Sequence, residues 1–307
     1  TRCQSPHNPE TSQTLPNSQT TMKSILILLL SCSLASQAQV WQKVSVEKLP
    51  GTRQGDCRLA AISPDGSYIL TTTQTSRGLR QVDLQTGEEI QLTDIPGAGF
   101  QPSVSADGRR ILCRKVTFDE NYMRQTSLQI LDLDRGTQRQ FRAPAREVRS
   151  YETALSPERD TRPEVFIEDL QLMVTVDGVT RNLSPNGTDE ETRYLWPSLS
   201  PDGQHILYYV SGVGAYVCNL EGDDVRFIAH DCRAPQWYDN ETVIGMNDRD
   251  DGEMLLTSTI MAYTLDGRQQ ELSEPGQMLM YPQCCASRSL IACSAASGEV
   301  FLIRIEK

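Results

Sequence analysis

Short apolar runs alternate with polar turns along this chain, and the alternation recurs. The stretches "AAISPDGSYILT" (60–71), "PSVSADGRRILC" (102–113), "PSLSPDGQHILY" (197–208), "PQWYDNETVIGM" (235–246) and "PQCCASRSLIAC" (282–293) align without a gap. A sixth, "TALSPERDTRPEVFIE" from 153, keeps the Leu-Ser-Pro core and then carries an insertion. The common pattern is an apolar strand, a tight turn built on Asp-Gly, and a second apolar strand such as Ile206-Leu207-Tyr208. Asp suits this turn because its carboxylate bonds nearby backbone, and Gly because it accepts positive φ. A second hairpin follows in each complete copy: "QVDLQTGEEIQL", "ILDLDRGTQRQF", "VTVDGVTRNL", "VCNLEGDDVRFI" and "AYTLDGRQQEL". Alternating strands around a Gly-containing turn are a hairpin pattern. One repeat is therefore four antiparallel strands.

Repeat starts at 60, 102, 153, 197, 235 and 282 are spaced by 42, 51, 44, 38 and 47 residues, near the period of four-stranded propeller blades. The last copy has only one further strand, "EVFLIRIEK", while "VWQKVSVEKL" (40–49) has strand character ahead of the first repeat. The sequence thus predicts an all-β fold, a six-bladed β-propeller of four-stranded antiparallel blades, with the N-terminal strand closing the ring as the outer strand of the last blade. Closure leaves only short blade edges exposed. Ser-Pro-Asp-Gly is then a blade turn and not a catalytic loop.

The Ser-Pro-Asp-Gly turns at 63–66 and 200–203, with Ser-Ala-Asp-Gly at 105–108, resemble the repeat of TolB-type, WD-repeat-like β-propellers. The same repeat type occurs in propeller domains of tricorn-like and prolyl-oligopeptidase-like peptidases. The resemblance covers roughly 40–307 and implies the fold more strongly than any function. TolB itself carries a separate α/β domain before its propeller, and these residues leave no room for one.

The N-terminal region reads differently. Residues 1–21 are polar, rich in Thr, Ser, Gln, Asn and Pro, and without initiating Met. Met22 opens "MKSILILLLSCSLASQA", with a basic Lys23, a short apolar run and small residues before Ala38. This is the pattern of a secretory signal peptide over 22–38, with upstream translation over 1–21 and the propeller over 39–307. The run is too short to span a bilayer as a helix, so the expectation is a periplasmic or secreted protein. A lipid anchor at Cys32 is the alternative, making a membrane-anchored lipoprotein, although Leu30 is larger than the residue such signals place there. The formal net charge of -11 argues against a nucleic-acid partner, whose phosphates need basic clusters.

Variable loops on a rigid scaffold carry binding. In a blade of alternating strands, the connections between strands two and three share one face with those between blades, and here they vary. "DCR" occurs at 56–58 and 231–233, at the same offset before a repeat start. With Arg149 and Arg193 at neighbouring offsets, Asp56, Arg58, Asp231 and Arg233 outline a channel mouth for an anionic or zwitterionic group, arginine serving as a bidentate donor. The bland alternative is that these charges pair and lock adjacent blades. The longest loops are expected at 116–126 and 247–258. The first offers Phe118, Tyr122 and Met123 to a partner or to the blade. The second carries Asp248, Asp250, Asp251 and Glu253, a weak calcium candidate because Arg249 interrupts the acids.

No catalytic set stands out. A Gly-x-Ser-x-Gly elbow is absent, and beyond Ala38 only His205 and His230 could serve a histidine-bound metal. No Cys-x-x-Cys spacing occurs. The sequence therefore points to a non-enzymatic exported scaffold that binds a protein partner in a bacterial envelope and needs no cofactor. Two alternatives stay open: a propeller that binds a glycan or small ligand, and a carbohydrate-active enzyme using two carboxylates.

Overall fold

The computed structural model describes residues 40–41, 43–50, 55–146, 148, 155 and 162–306. The expected signal peptide, the upstream segment, Cys32 and Arg149 lie outside the described residues. Strand β1 (Lys43–Lys48) precedes the first blade, which is β2 (Arg58–Ile62), β3 (Tyr68–Thr72), β4 (Arg77–Asp83) and β5 (Glu89–Pro96). The second blade is β6 (Ser103–Val104), β7 (Arg110–Phe118), β8 (Arg124–Asp132) and β9 (Thr137–Ala145). Three strands of the third are described: β10 (Glu164–Glu168), β11 (Gln171–Val176) and β12 (Val179–Asn182). The fourth is β13 (Tyr194–Leu199), β14 (His205–Val210), β15 (Gly214–Asn219) and β16 (Arg226–Ala229). The fifth is β17 (Arg233–Trp237), β18 (Thr242–Asp250), β19 (Leu255–Thr264) and β20 (Gln269–Glu271). The sixth joins β21 (Leu279–Cys285), β22 (Leu290–Ala295) and β23 (Val300–Glu306) to β1, in the order β1-β23-β22-β21. The fold is an all-β six-bladed propeller, closed by its N-terminal strand.

The blade turn owes its shape to three residues. Ser105 and Ser200 accept the amide of the residue five positions on, Arg110 and His205, each at 2.9 Å. Their hydroxyls turn to the carboxylates of Asp107 and Asp202, which also accept the amides of Arg109 and Gln204 at 3.1 and 3.0 Å. The glycine amide then bonds back to the serine carbonyl at 2.8 Å in both turns. In the first blade Ser63 accepts the Tyr68 amide in the same way, at 3.0 Å. Serine, aspartate and glycine thus close the turn among themselves, while the Asp202 amide reaches Asn240 Oδ1 of the next blade at 3.1 Å.

The second strand of each blade explains why its apolar run is continuous. Successive side chains on a strand point to opposite faces. Both faces of these strands are buried in the first, second, fourth, fifth and sixth blades. Ile69 enters the core shared with the sixth blade, and Leu70 the core shared with the second. Ile206 faces the third blade and Leu207 the fifth. Val243 and Ile244, then Ile291 and Ala292, divide in the same way. The core is thus a set of apolar clusters between blades. Each fully buried aliphatic side chain contributes roughly 1.5–3 kcal/mol.

Closure has its own contacts. β1 pairs along its whole length with β23, from Lys43 opposite Glu306 to Lys48 opposite Phe301. Lys48 is ion-paired with Glu299. Trp41, 3% exposed, stacks edge-on against Tyr238 of the fifth blade at 5.0 Å. Its amide donates to Gln270 Oε1 at 2.8 Å, and Gln270 Nε2 donates to its carbonyl at 3.2 Å. The segment leading into β1 is therefore pinned to the fifth and sixth blades at once.

Candidate functional site at the loop face

The two segments expected as long loops are instead extended hairpins. The β7–β8 ladder continues to Phe118 opposite Arg124, and the β18–β19 ladder to Asp250 opposite Leu255. Only 119–123 and 251–254 turn. The reason is local. Asp119 Oδ1 accepts the amides of Asn121 and Met123, both at 2.9 Å. Asp251 Oδ1 accepts those of Glu253 and Met254 at 3.0 and 2.7 Å. The amides of Met123 and Met254, more than any other neighbour, hold the two carboxyls below the usual aspartate range. Both hairpins join second to third strands, so both rise on the loop face. Their tips carry exposed apolar side chains: Phe118, Tyr122 (88% exposed) and Met123 on one, Met254 (69% exposed) and Leu256 on the other.

The charges expected at the channel mouth take varied partners. Asp56 Oδ1 accepts the Gln74 amide at 2.9 Å. The Arg58 guanidinium lies 5.5 Å from the centre of the Tyr281 ring. Arg193 is exposed, and its carbonyl accepts the Ser211 amide. Asp231 lies 3.9 Å from His230 Nε2, while its carbonyl accepts the Tyr263 hydroxyl at 2.8 Å. Arg233 Nη1 donates to Asp248 Oδ2 at 2.7 Å. Among the described residues, no ion pair joins two members of that ring.

Asp248 is the unusual member of the acidic segment. Its side chain is 3% exposed, and its Oδ1 is buried without a hydrogen-bond partner. Burial pushes its carboxyl above the usual aspartate range, against the opposing pull of Arg233. Asp250 Oδ1 accepts the Gly252 amide at 3.0 Å, so this acid, like Asp251, serves the turn. Among the described residues, no group of three or more His, Cys, Asp or Glu side chains is placed to hold a metal ion.

Inner strands carry a feature that the sequence reading passed over. Gln101, Trp196, Ala234 and Tyr281 adopt positive φ of 48°, 49°, 47° and 53°, and each precedes a proline. In the fourth, fifth and sixth blades this is a β-bulge: register shifts between Leu195 and Ser198, Arg233 and Gln236, and Met280 and Gln283. A bulge bends the strand and re-aims its side chains. It leaves Tyr281 at the mouth, 42% exposed. The X-Pro at four of the six repeat starts, 102, 197, 235 and 282, is the available signal. Trp196 instead packs on Tyr209 at 5.4 Å, and Trp237 is buried with its Nε1 donating to the Ser198 carbonyl.

The seven cysteines from Cys57 onward, namely Cys57, Cys113, Cys218, Cys232, Cys284, Cys285 and Cys293, are free thiols. Burial pushes Cys113 and Cys218 up to about 12, far from a neutral-pH nucleophile. His230 Nδ1 contacts the Val213 carbonyl at 2.6 Å.

No protein-family model matches the chain, and no curated protein matches it in sequence. Solved structures do match in fold. A putative TolB from Agrobacterium tumefaciens is 17% identical, with a TM-score of 0.50 over 86% of this chain and 98% of that one. The chain has a TolB-like propeller fold. TolB from Acinetobacter baumannii is also 17% identical, with a TM-score of 0.47 over 76% of this chain and 57% of that one. An oligogalacturonate lyase in complex with manganese is 17% identical, with a TM-score of 0.47 over 80% of this chain and 76% of that one. These likenesses describe the propeller and do not assign an activity. Among the described residues, no helix is long and apolar enough to cross a membrane.

Proposed function

We propose that this propeller is exported and acts as a non-enzymatic scaffold, binding a protein partner in a bacterial cell envelope through its loop face. The observation that carries the reading is the pair of protruding hairpins. Phe118, Tyr122 and Met123 on one, and Met254 and Leu256 on the other, expose large apolar groups on one face of a rigid ring. Such groups cost solubility unless something covers them. The blade turns on the opposite face spend their serine, aspartate and glycine groups on hydrogen bonds within the protein and offer less to a partner. Export is read from the segment 22–38 and predicts a mature chain beginning near Gln39 in the periplasmic or secreted fraction, which intact-mass analysis would check.

Site-specific photocrosslinking tests the docking face. A photoreactive residue at Tyr122 or Met254 should trap one discrete protein in cells, and one at Gln204 on the blade-turn face should not. Equal trapping from both faces, or none from the hairpins, would overturn the assignment.

A further inference from the structure

Between the fifth and sixth blades, the end of β18, the turn at 251–254 and the start of β21 enclose a cleft of about 440 Å³. Arg233, Asp248, Asp250 and Glu253 supply its charges, and Met254, Met280 and Tyr281 are among its apolar walls. Three negative groups face one positive group. Asp248 lines this cleft with a buried carboxylate whose Oδ2 is taken by Arg233 and whose Oδ1 has no donor. Such an acceptor is costly until a donor reaches it. The acidic excess calls for a cation, while sulfur and aromatic walls suit an apolar stem.

A bare metal ion fits poorly, because Asp250 and Asp251 are spent on turn amides and no three-ligand cluster exists among the described residues. A guanidinium fits less well than an ammonium. Arginine's fork matches two carboxylate oxygens, and one oxygen of Asp248 is already bonded to Arg233. Lysine presents a compact point donor on a flexible four-carbon stem. Arg58 lies over the Tyr281 ring as a second cation beside the three acids, and the two methionines offer the stem its apolar walls.

We infer that this cleft is a subsite for a lysine side chain of the protein partner, its ammonium drawn to the Asp248 carboxylate and its stem lying against Met254, Met280 and Tyr281. Asp250 and Glu253 add the long-range attraction. The inference rests on the proposed protein-docking role of the loop face. A peptide fits better than a free amine because exposed Leu256 extends the apolar surface beyond the cleft.

The test is titration of the propeller, its methionine methyls carbon-13 labelled, with the peptide acetyl-Gly-Leu-Lys-Leu-Gly-amide. The controls are the same peptide with norleucine for lysine, and cadaverine. The lysine peptide should shift the Met254 and Met280 methyls and bind at least tenfold more tightly than either control. Asp248→Asn, with its fold checked by thermal melting, should lose at least tenfold. Glu253→Gln, an exposed change that does not threaten folding, should lose about threefold. Equal binding of the norleucine peptide, equal binding of cadaverine, no methyl shift at millimolar peptide, or unaltered binding by both variants would each overturn the subsite. Crosslinks from Tyr122 and Met254 that persist in Asp248→Asn would leave the docking face standing while the lysine subsite falls.

Discussion

Ser105 and Ser200 each hold a strand-opening amide with one oxygen, inside turns that are 4% exposed at the serine. Replacing either with Ala strands that amide and should cost roughly 0.5–1.5 kcal/mol in urea unfolding. Asp107 and Asp202 are held below the usual aspartate range, first by those serine hydroxyls and then by the amides of Arg109 and Gln204. A depressed folded-state pKa contributes stability that is present above the unfolded value of about 3.9 and lost as pH falls through the lower folded value. The wild type should therefore exceed an Asp107→Asn, Asp202→Asn variant in melting temperature near neutral pH, and lose that lead as acid is added. Glycine positions separate conformation from contact. Gly203 (φ +71°) has nothing within 4 Å of an added Cβ, whereas at Gly66 (φ +63°) an added Cβ would lie 2.5 Å from Arg288 Cγ and 3.0 Å from Cys285 Sγ. Gly203→Ala should cost roughly 1–2 kcal/mol from the left-handed backbone alone. Gly66→Ala should cost roughly 1–3 kcal/mol more, because it also pushes the first blade off the sixth.

Elements show where local pattern and ladder cooperation part. The hairpin tips at 119–123 and 251–254 look like loop sequence, rich in Asp, Asn and Gly, yet strand pairing runs almost to the turn. Each added antiparallel pair satisfies backbone groups at little further cost once the ladder exists. Side chains at the tips contribute nothing to the core. Phe118→Ser with Met123→Ser should therefore leave unfolding within about 0.5 kcal/mol of wild type while abolishing the crosslink from a photoreactive residue at position 122. A stability loss well above that would mean the tip packs onto the blade. The proline-linked bulges belong to this scale too. Proline disfavours the helical region for the residue before it, yet Trp196, Ala234 and Tyr281 sit at positive φ because the inner-strand register demands an extra residue there.

For the whole molecule, closure is the feature on which all six blades depend. Without β1, strand β23 would present an unpaired edge, a template for pairing with another chain. Removing residues 40–49 should convert a monodisperse species into aggregates in light scattering at a temperature where the intact propeller is stable. Trp41→Ala is the finer test. It empties a nearly fully buried site between β1 and Tyr238 and should cost about 3–5 kcal/mol. An effect below 1 kcal/mol would show that the β1–β23 ladder closes the ring without its tryptophan anchor.

The sequence by itself determined the turns, the hairpins, the number of blades and the strand that closes them. Each of these follows from short-range chemistry repeated at a fixed interval: Ser, Asp and Gly within six residues, two-residue alternation, and one strand missing at one end and spare at the other. The partners of the charges were not determined in this way. Asp231 is two residues from Arg233, yet Arg233 pairs with Asp248 across the β17–β18 ladder, where the bulge at Ala234 shifts the register. Tyr281 meets Arg58 only because the sixth blade stands beside the first. Asp248 stands in sequence as one of four acids with Asp250, Asp251 and Glu253, and it is buried because β18 continues through it under a turn from the same hairpin and beside the next blade. Pairings between blades depend on register, bulge and ring closure together. Those are properties of the assembled ring, and tertiary structure alone decides them.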